Sequence, residues 1–186
     1  LKLEVMFHAG RPYETKKLAS RATASLLKEG TTTHSSEQIA EQLDFYGGTL
    51  NSPINLDYAN LTLYCLTKHF HKLIPLLADM LSQPAFPQEE LDLFIQNNQQ
   101  RLQVDLTKND VIAYRKITEL IFDKSHPYGY NSFPKTYTDL ERADLLQHFK
   151  NNFISNQCEI FISGKTDKET IPLLNKTLGR LIPTGK

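Results

Sequence analysis

The sequence predicts an α+β domain, with helices packed on one face of a mostly antiparallel sheet. Three observations carry this. The opening stretch LKLEVMFHA sets Leu1, Leu3, Val5, Phe7 and Ala9 against Lys2, Glu4, Met6 and His8, the period-two pattern of a half-buried strand. Residues 16–31 instead repeat apolar side chains at Leu18, Ala22 and Leu26, with Ala19 and Leu27 beside them, which is one stripe of a helix. The remaining segments follow these two periods in the order β-α-α-β-β-α-α-α-α-β-α, which suits helices layered on a single sheet.

In chain order, Gly10-Arg11-Pro12 breaks the opening strand. Thr15 is placed to cap the first helix and Gly30 to end it. Ser35 and Gln38 have capping-box spacing, and the helix they open turns Ile39, Ala40 and Leu43 inward before Gly47-Gly48 stops it. Residues 49–55 and 58–66 read as two strands. Pro53 cannot donate to a ladder, so the first is an edge strand or bulged. Residues 72–82 form a short helix in which Pro75 is tolerable only near the first turn. Residues 88–106 form a long one, with Leu91, Phe94, Ile95, Leu102 and Leu106 on one side. Residues 111–122 form another, with Tyr114, Ile117 and Ile121 inward. After an irregular stretch at 125–133 come a helix at about 143–153, a strand at 158–164 and a last helix at 167–180, where Pro172 falls in the first turn. Residues 1–181 read as a single domain, a fragment of a longer multi-domain chain, and 182–186 as tail or linker.

Composition excludes some functions. The 21 basic and 21 acidic side chains cancel without long runs of either sign, which removes the electrostatic footprint of a nucleic-acid binder. No apolar run approaches the roughly 18–20 residues of a membrane span. No signal segment is visible. Cys65 and Cys158 lie in predicted strands and read as core thiols.

The fragments LLKEGT, SSEQIAEQLDFYGGTLNS, LLADMLSQPAFPQEEL, HPYG and IFISGKTD come in an order and spacing that resemble the pitrilysin/insulinase-like zinc peptidases, the inverzincins of processing-peptidase type. The resemblance implies a domain from one half of a clamshell of paired α+β domains. It also implies a bacterial protein of cytoplasm or periplasm, the compartment being left open. In active members an H-x-x-E-H helix supplies two zinc ligands and a base. Counting back from Gly30-Thr31, the matching positions are Arg21, Ala24 and Ser25. The third ligand, a Glu about 77 residues past the second His by the resemblance, falls at or near Leu102.

These side chains argue against the family's chemistry. A catalytic zinc needs three ligands from His, Asp, Glu or Cys and a water that a base can deprotonate. Arg21 cannot give up its proton and would repel a cation; Ala24 offers no base, and neutral Ser25 is a poor ligand. The family zinc is therefore predicted lost, and the vacated site filled with side chains rather than left as a polar pit. His69 and His71 are the one close His pair, but they sit where a strand hands over to a helix, without a third ligand. His34 reads as a loop residue and His126 as part of a turn. Ser20 and Ser25 have no His at a helical partner spacing, so a nucleophilic serine is unsupported.

By the resemblance, Gly48, Thr49, Leu50, Asn51 and Ser52 match an edge strand to which substrate peptides add. Gly47-Gly48 reads equally as a plain helix stop. The reading is a catalytically inactive peptidase-like domain. It pairs with another pitrilysin-like domain or an active peptidase subunit to form a peptide-binding chamber, with unstructured peptides as further partners. An active metallopeptidase with a non-standard site and a stand-alone peptide-binding module are the alternatives.

Overall fold

The computed structural model describes residues 1–53 and 55–181; the predicted tail at 182–186 lies outside them, as does Ile54 of the predicted strand 49–55. Four strands, β1 (Lys2–Phe7), β2 (Thr49–Asn51), β3 (Ala59–Tyr64) and β4 (Cys158–Ser163), form one sheet of order β2-β3-β1-β4. Every pairing is antiparallel. Among the described residues eight α-helices accompany it: α1 (Ala19–Leu26), α2 (Ser36–Phe45), α3 (Phe70–Ser82), α4 (Gln88–Asp105), α5 (Asn109–Phe122), α6 (Pro134–Thr138), α7 (Arg142–Asn152) and α8 (Thr170–Leu181).

The alternation in β1 decides the layering. Leu3 lies opposite Leu63 and Ile162, Val5 opposite Leu61 and Ile160, and Phe7 opposite Ala59 and Cys158, so all of these share a face. Leu3, Val5 and Phe7 are no more than 1% exposed and join a core with Ala22 of α1, Leu73 and Leu77 of α3, Leu145 of α7 and Leu178 of α8. Each such large side chain contributes about 1.5–3 kcal/mol by leaving water. The opposite face carries Lys2, Glu4, Asn60, Tyr64 and Phe161 and stays partly open.

Several expectations change. The helix predicted over 16–31 is confined to Ala19–Leu26. The Ser35–Gln38 capping box is present in both directions, but only Ile39 of the predicted inward set is buried; Leu43 is half-buried and Ala40 exposed. Pro75 lies inside α3 rather than in its first turn. The carbonyl it leaves without an N–H partner belongs to His71, one turn earlier, and both residues are exposed, so water can serve it. The inward face predicted for α5 is outward: Tyr114, Ile117 and Ile121 are 66%, 49% and 65% exposed. The short α6 was not anticipated; its start is fixed by the Thr136 hydroxyl, which accepts the Phe133 N–H at 3.0 Å.

One polar knot ties the loop after α1 to α3. Asp79 Oδ2 accepts hydrogen bonds from the hydroxyls of Thr31, at 2.7 Å, and Thr33, and lies 3.0 Å from His34 Nδ1. Burial alone would raise the Asp79 pKa, but the Thr33, Thr31 and His34 contacts outweigh it and hold the carboxyl below its ordinary value. A depressed folded-state pKa gives stability that is full above the ordinary carboxylate range, about pH 4, and lost as pH falls through the lowered value. Asp79→Asn should therefore cost about 1–3 kcal/mol at neutral pH, and its deficit should shrink in strongly acidic solution. Urea midpoints of the two proteins at neutral and acid pH measure this; a deficit independent of pH would refute it.

Candidate functional site

The site is built on α1, whose start is fixed from outside the helix. Leu18, at the cap position, is left-handed with φ 73° and offers no side-chain bond. The predicted cap, Thr15, is replaced by its neighbour Glu14. One Glu14 oxygen accepts the Ser20 N–H at 3.0 Å and the Ser20 hydroxyl, and the other accepts the Tyr130 hydroxyl at 2.8 Å. A carboxylate here also suits the positive end of the helix. Burial and the facing Glu14 raise the Tyr130 pKa, so the phenol stays a donor. At the far end Gly30 does not stop the helix; its carbonyl accepts the Ala85 N–H at 3.0 Å. The Ala24 carbonyl, in the last turn, takes the Ser52 hydroxyl at 2.6 Å, which fixes the chain after β2 against the end of α1.

The four positions matched to the family's zinc site lie on α1 and α4. Arg21 Nη2 donates to Asn98 Oδ1 at 2.9 Å, and Asn98 Nδ2 donates to the Phe94 carbonyl at 2.8 Å, so the amide is held at both ends. Ala24 is buried, Ser25 half-buried, and Leu102 only 7% exposed. A guanidinium, a methyl, a hydroxyl and an isobutyl group make no zinc ligand set. Among the described residues no group of three or more His, Cys, Asp or Glu is placed to hold a metal ion.

Two cavities flank this helix pair. A groove of about 860 Å³ is lined by Ser25 and Leu26 of α1, by Leu50 to Pro53, by Phe94 and Asn98 of α4, and by Lys2 and Glu4 of the open sheet face. A recess of about 290 Å³ is lined by Arg21, Asn98 and Leu102 together with Arg11, Arg101, Arg115 and Tyr130. The vacated site is thus only partly filled: Leu102 packs into the core, while Arg21 borders a polar recess that was not expected. Sequence reasoning also missed Asn98. It sits one turn before Leu102, so the spacing that pointed to Leu102 could have found it.

The strand predicted over 49–55 is shorter, Thr49–Asn51, and ends before Ser52 and Pro53. Gly47, at φ 62°, ends α2 as the helix-stop reading has it. A Cβ on Gly48 would lie 2.7 Å from Leu73 Cδ1 and 3.3 Å from Leu43 Cδ2, so a side chain there would make the Leu73 and Leu43 side chains shift. Thr49, Leu50 and Asn51 form the edge strand and pair only with β3; among the described residues their other backbone groups bond nothing.

The remaining candidates are occupied elsewhere. His69 ends a turn before α3 and His71 is exposed in its first turn. His34 is held by Asp79 and Ser20 by Glu14. His126 stacks on Phe122 with ring centres 5.4 Å apart, and its Nδ1 accepts the Tyr128 N–H at 3.2 Å, as suits a turn residue. Cys65 and Cys158 are unbridged. Burial raises the pKa of both thiols, that of Cys158 to about 11 with the help of Glu159.

The family model described as insulinase (Peptidase family M16) matches residues 2–126, and the chain belongs to that family. It is 26% identical over 145 residues to an uncharacterized zinc protease of Rickettsia bellii, covering 77% of this chain and 35% of that protein. The inactive domain of a peptidase M16 from Pseudomonas fluorescens superposes with a TM-score of 0.89 at 17% identity, over 100% of this chain and 47% of that one. A protease from Helicobacter pylori does so with 0.84 at 13% identity, over 100% of this chain and 46% of that one. This chain therefore spans about a third of its curated relative and about half of each solved one.

Leu102→Ala should cost about 2–5 kcal/mol in denaturant unfolding, the range for truncating a buried leucine. A cost below about 0.5 kcal/mol, the level of an ordinary surface change, would mean that the α1–α4 contact does not depend on it.

Proposed function

We propose that this is a non-catalytic M16 domain that holds extended peptide along β2 and pairs with a second M16-like domain to enclose a chamber. The observation that carries the reading is the open edge of β2, which borders the groove beside Ser25. Strand addition there would satisfy backbone groups that bond nothing among the described residues, with affinity from the main chain and little sequence preference. Residues 48–52 act as the peptide-binding edge in this reading. Arg21, Ala24, Ser25 and Leu102 are relics of a zinc site, and the domain contributes no hydrolysis.

The pairing is supported by the length of the solved relatives and by α5. The two solved relatives run to about twice the length aligned here. Tyr114, Ile117, Leu120 and Ile121 share one side of α5 and leave an apolar helix face in water, of the kind that marks an interaction surface. The occupant proposed for it is the second M16-like domain.

The test is binding of an unstructured peptide, followed by fluorescence anisotropy. A peptide N-methylated at consecutive amides, which has no donors left for either edge, should bind far more weakly than its unmethylated parent, and equal binding of the two would rule out strand addition. Zinc should leave the protein on dialysis against a weak chelator; one tightly held zinc with peptide cleavage would overturn the non-catalytic reading.

Ile117→Glu with Leu120→Glu should leave the stability of this domain within about 0.5 kcal/mol, because both side chains are already 49% and 70% exposed. The pair should weaken association with the second domain, measured by sedimentation or by protease cutting between domains. Unchanged association would place the interface elsewhere.

A further inference from the structure

The recess beside Arg21 has a charge imbalance that the peptide edge does not explain. Four guanidiniums line it, from Arg11, Arg21, Arg101 and Arg115, against one carboxylate, Asp105. Asp105 is already engaged by Lys108 at 2.8 Å, with Arg101 3.8 Å away. Arg11, Arg21 and Arg115 have no ion pair among the described residues and bond only neutral acceptors. Arg11 lies 3.4 Å from the carbonyls of Pro127 and Tyr130 and sits 4.3 Å above the Tyr130 ring. Arg115 donates to the Ser132 carbonyl at 2.8 Å and Arg21 to the Asn98 amide. Glu14 and Asp57, the nearby acids, are bound to the hydroxyls of Tyr130 and Tyr128. Arg21 Nε is buried with no partner among the described residues, so the charge of this guanidinium is met there by the Asn98 amide alone.

We infer that this recess is an anion site that receives a single carboxylate, the acidic side chain of a polypeptide. Guanidinium forks fit a planar carboxylate with two parallel bonds. At about 290 Å³ the recess lies at the lower edge of ligand pockets, so it admits one side chain rather than a length of chain. Asn98 forms part of the wall of both recess and groove, and Arg21 and Ser25 lie one helical turn apart on α1, so a chain in the groove can place an acidic residue against Arg21. The polypeptide source rests on the peptide reading of the groove; the anion site does not. Where the family holds a cation, this chain holds an anion.

The experiment follows the Arg21 Nε–H signal by NMR while glutarate, and separately inorganic phosphate, is titrated into the protein. It also compares two short unstructured peptides that differ only by Glu or Gln at one position. Glutarate should shift the Arg21 signal to saturation. The Glu peptide should bind about tenfold more tightly than its Gln twin. Arg21→Gln should erase that preference while sparing the Gln twin's affinity, and Arg115→Gln should reduce it should the first variant misfold. If neither peptide binds while glutarate still moves the Arg21 signal, the groove reading fails and the anion site stands. An Arg21 signal indifferent to glutarate, equal affinity of the twins, or phosphate binding tighter than glutarate would each overturn the assignment.

Discussion

Most of this structure depends on β1 being paired on both sides. It bonds β3 along one edge and β4 along the other over all six of its residues. That fixes which side chains face the helices, because a slip by one residue would turn Leu3, Val5 and Phe7 into water and Lys2 and Glu4 into the core. With the register set, α1 can lie against β3 and bring Arg21 and Ser25 to one end of the sheet, while β2 is left as the edge beside them. The end of β1 is then tied to α7 by His148, whose Nε2 lies 2.9 Å from the Ala9 carbonyl and whose burial keeps the ring neutral.

Features set by local pattern were legible in the sequence. The alternation of β1, the capping box at Ser35 and Gln38, and the edge character of the strand before Pro53 all follow from neighbours within a few residues. The features that were not legible depend on distant partners. Thr15 has the right chemistry to cap α1, but Glu14 does so because Tyr130 folds back to orient it. Periodicity found the apolar face of α5 correctly and could not say which way it points, since the pattern is the same for a face against a core and a face awaiting a partner. Pro75 was confined to a first turn by a rule about buried carbonyls, and α3 turns the affected carbonyl to solvent.

The candidate site was legible as a substitution and not as a geometry. Arg21, Ala24, Ser25 and Leu102 could be read as the wrong donors for zinc from the sequence alone. What replaced the ligands was legible only as a position: Asn98 lies one turn from the spacing that found Leu102, but its bond to Arg21 and the arginines around it, from four separate segments, follow only from the fold. Arg11 precedes the helix, Arg21 lies on it, Arg101 is on α4 and Arg115 on α5. No spacing rule links them, and only the fold makes them neighbours.

The partner strands of β1 also impose an order of events. β1 is made first and β4 near the end, so the sheet cannot close until almost the whole domain has left the ribosome. Until then β1 presents an unpaired edge and an apolar face together, the combination most prone to wrong pairing. Contacts between such distant segments make closure slow even in the free chain. While the chain is incomplete, the half-built sheet therefore carries an open edge on β1 that the finished fold does not.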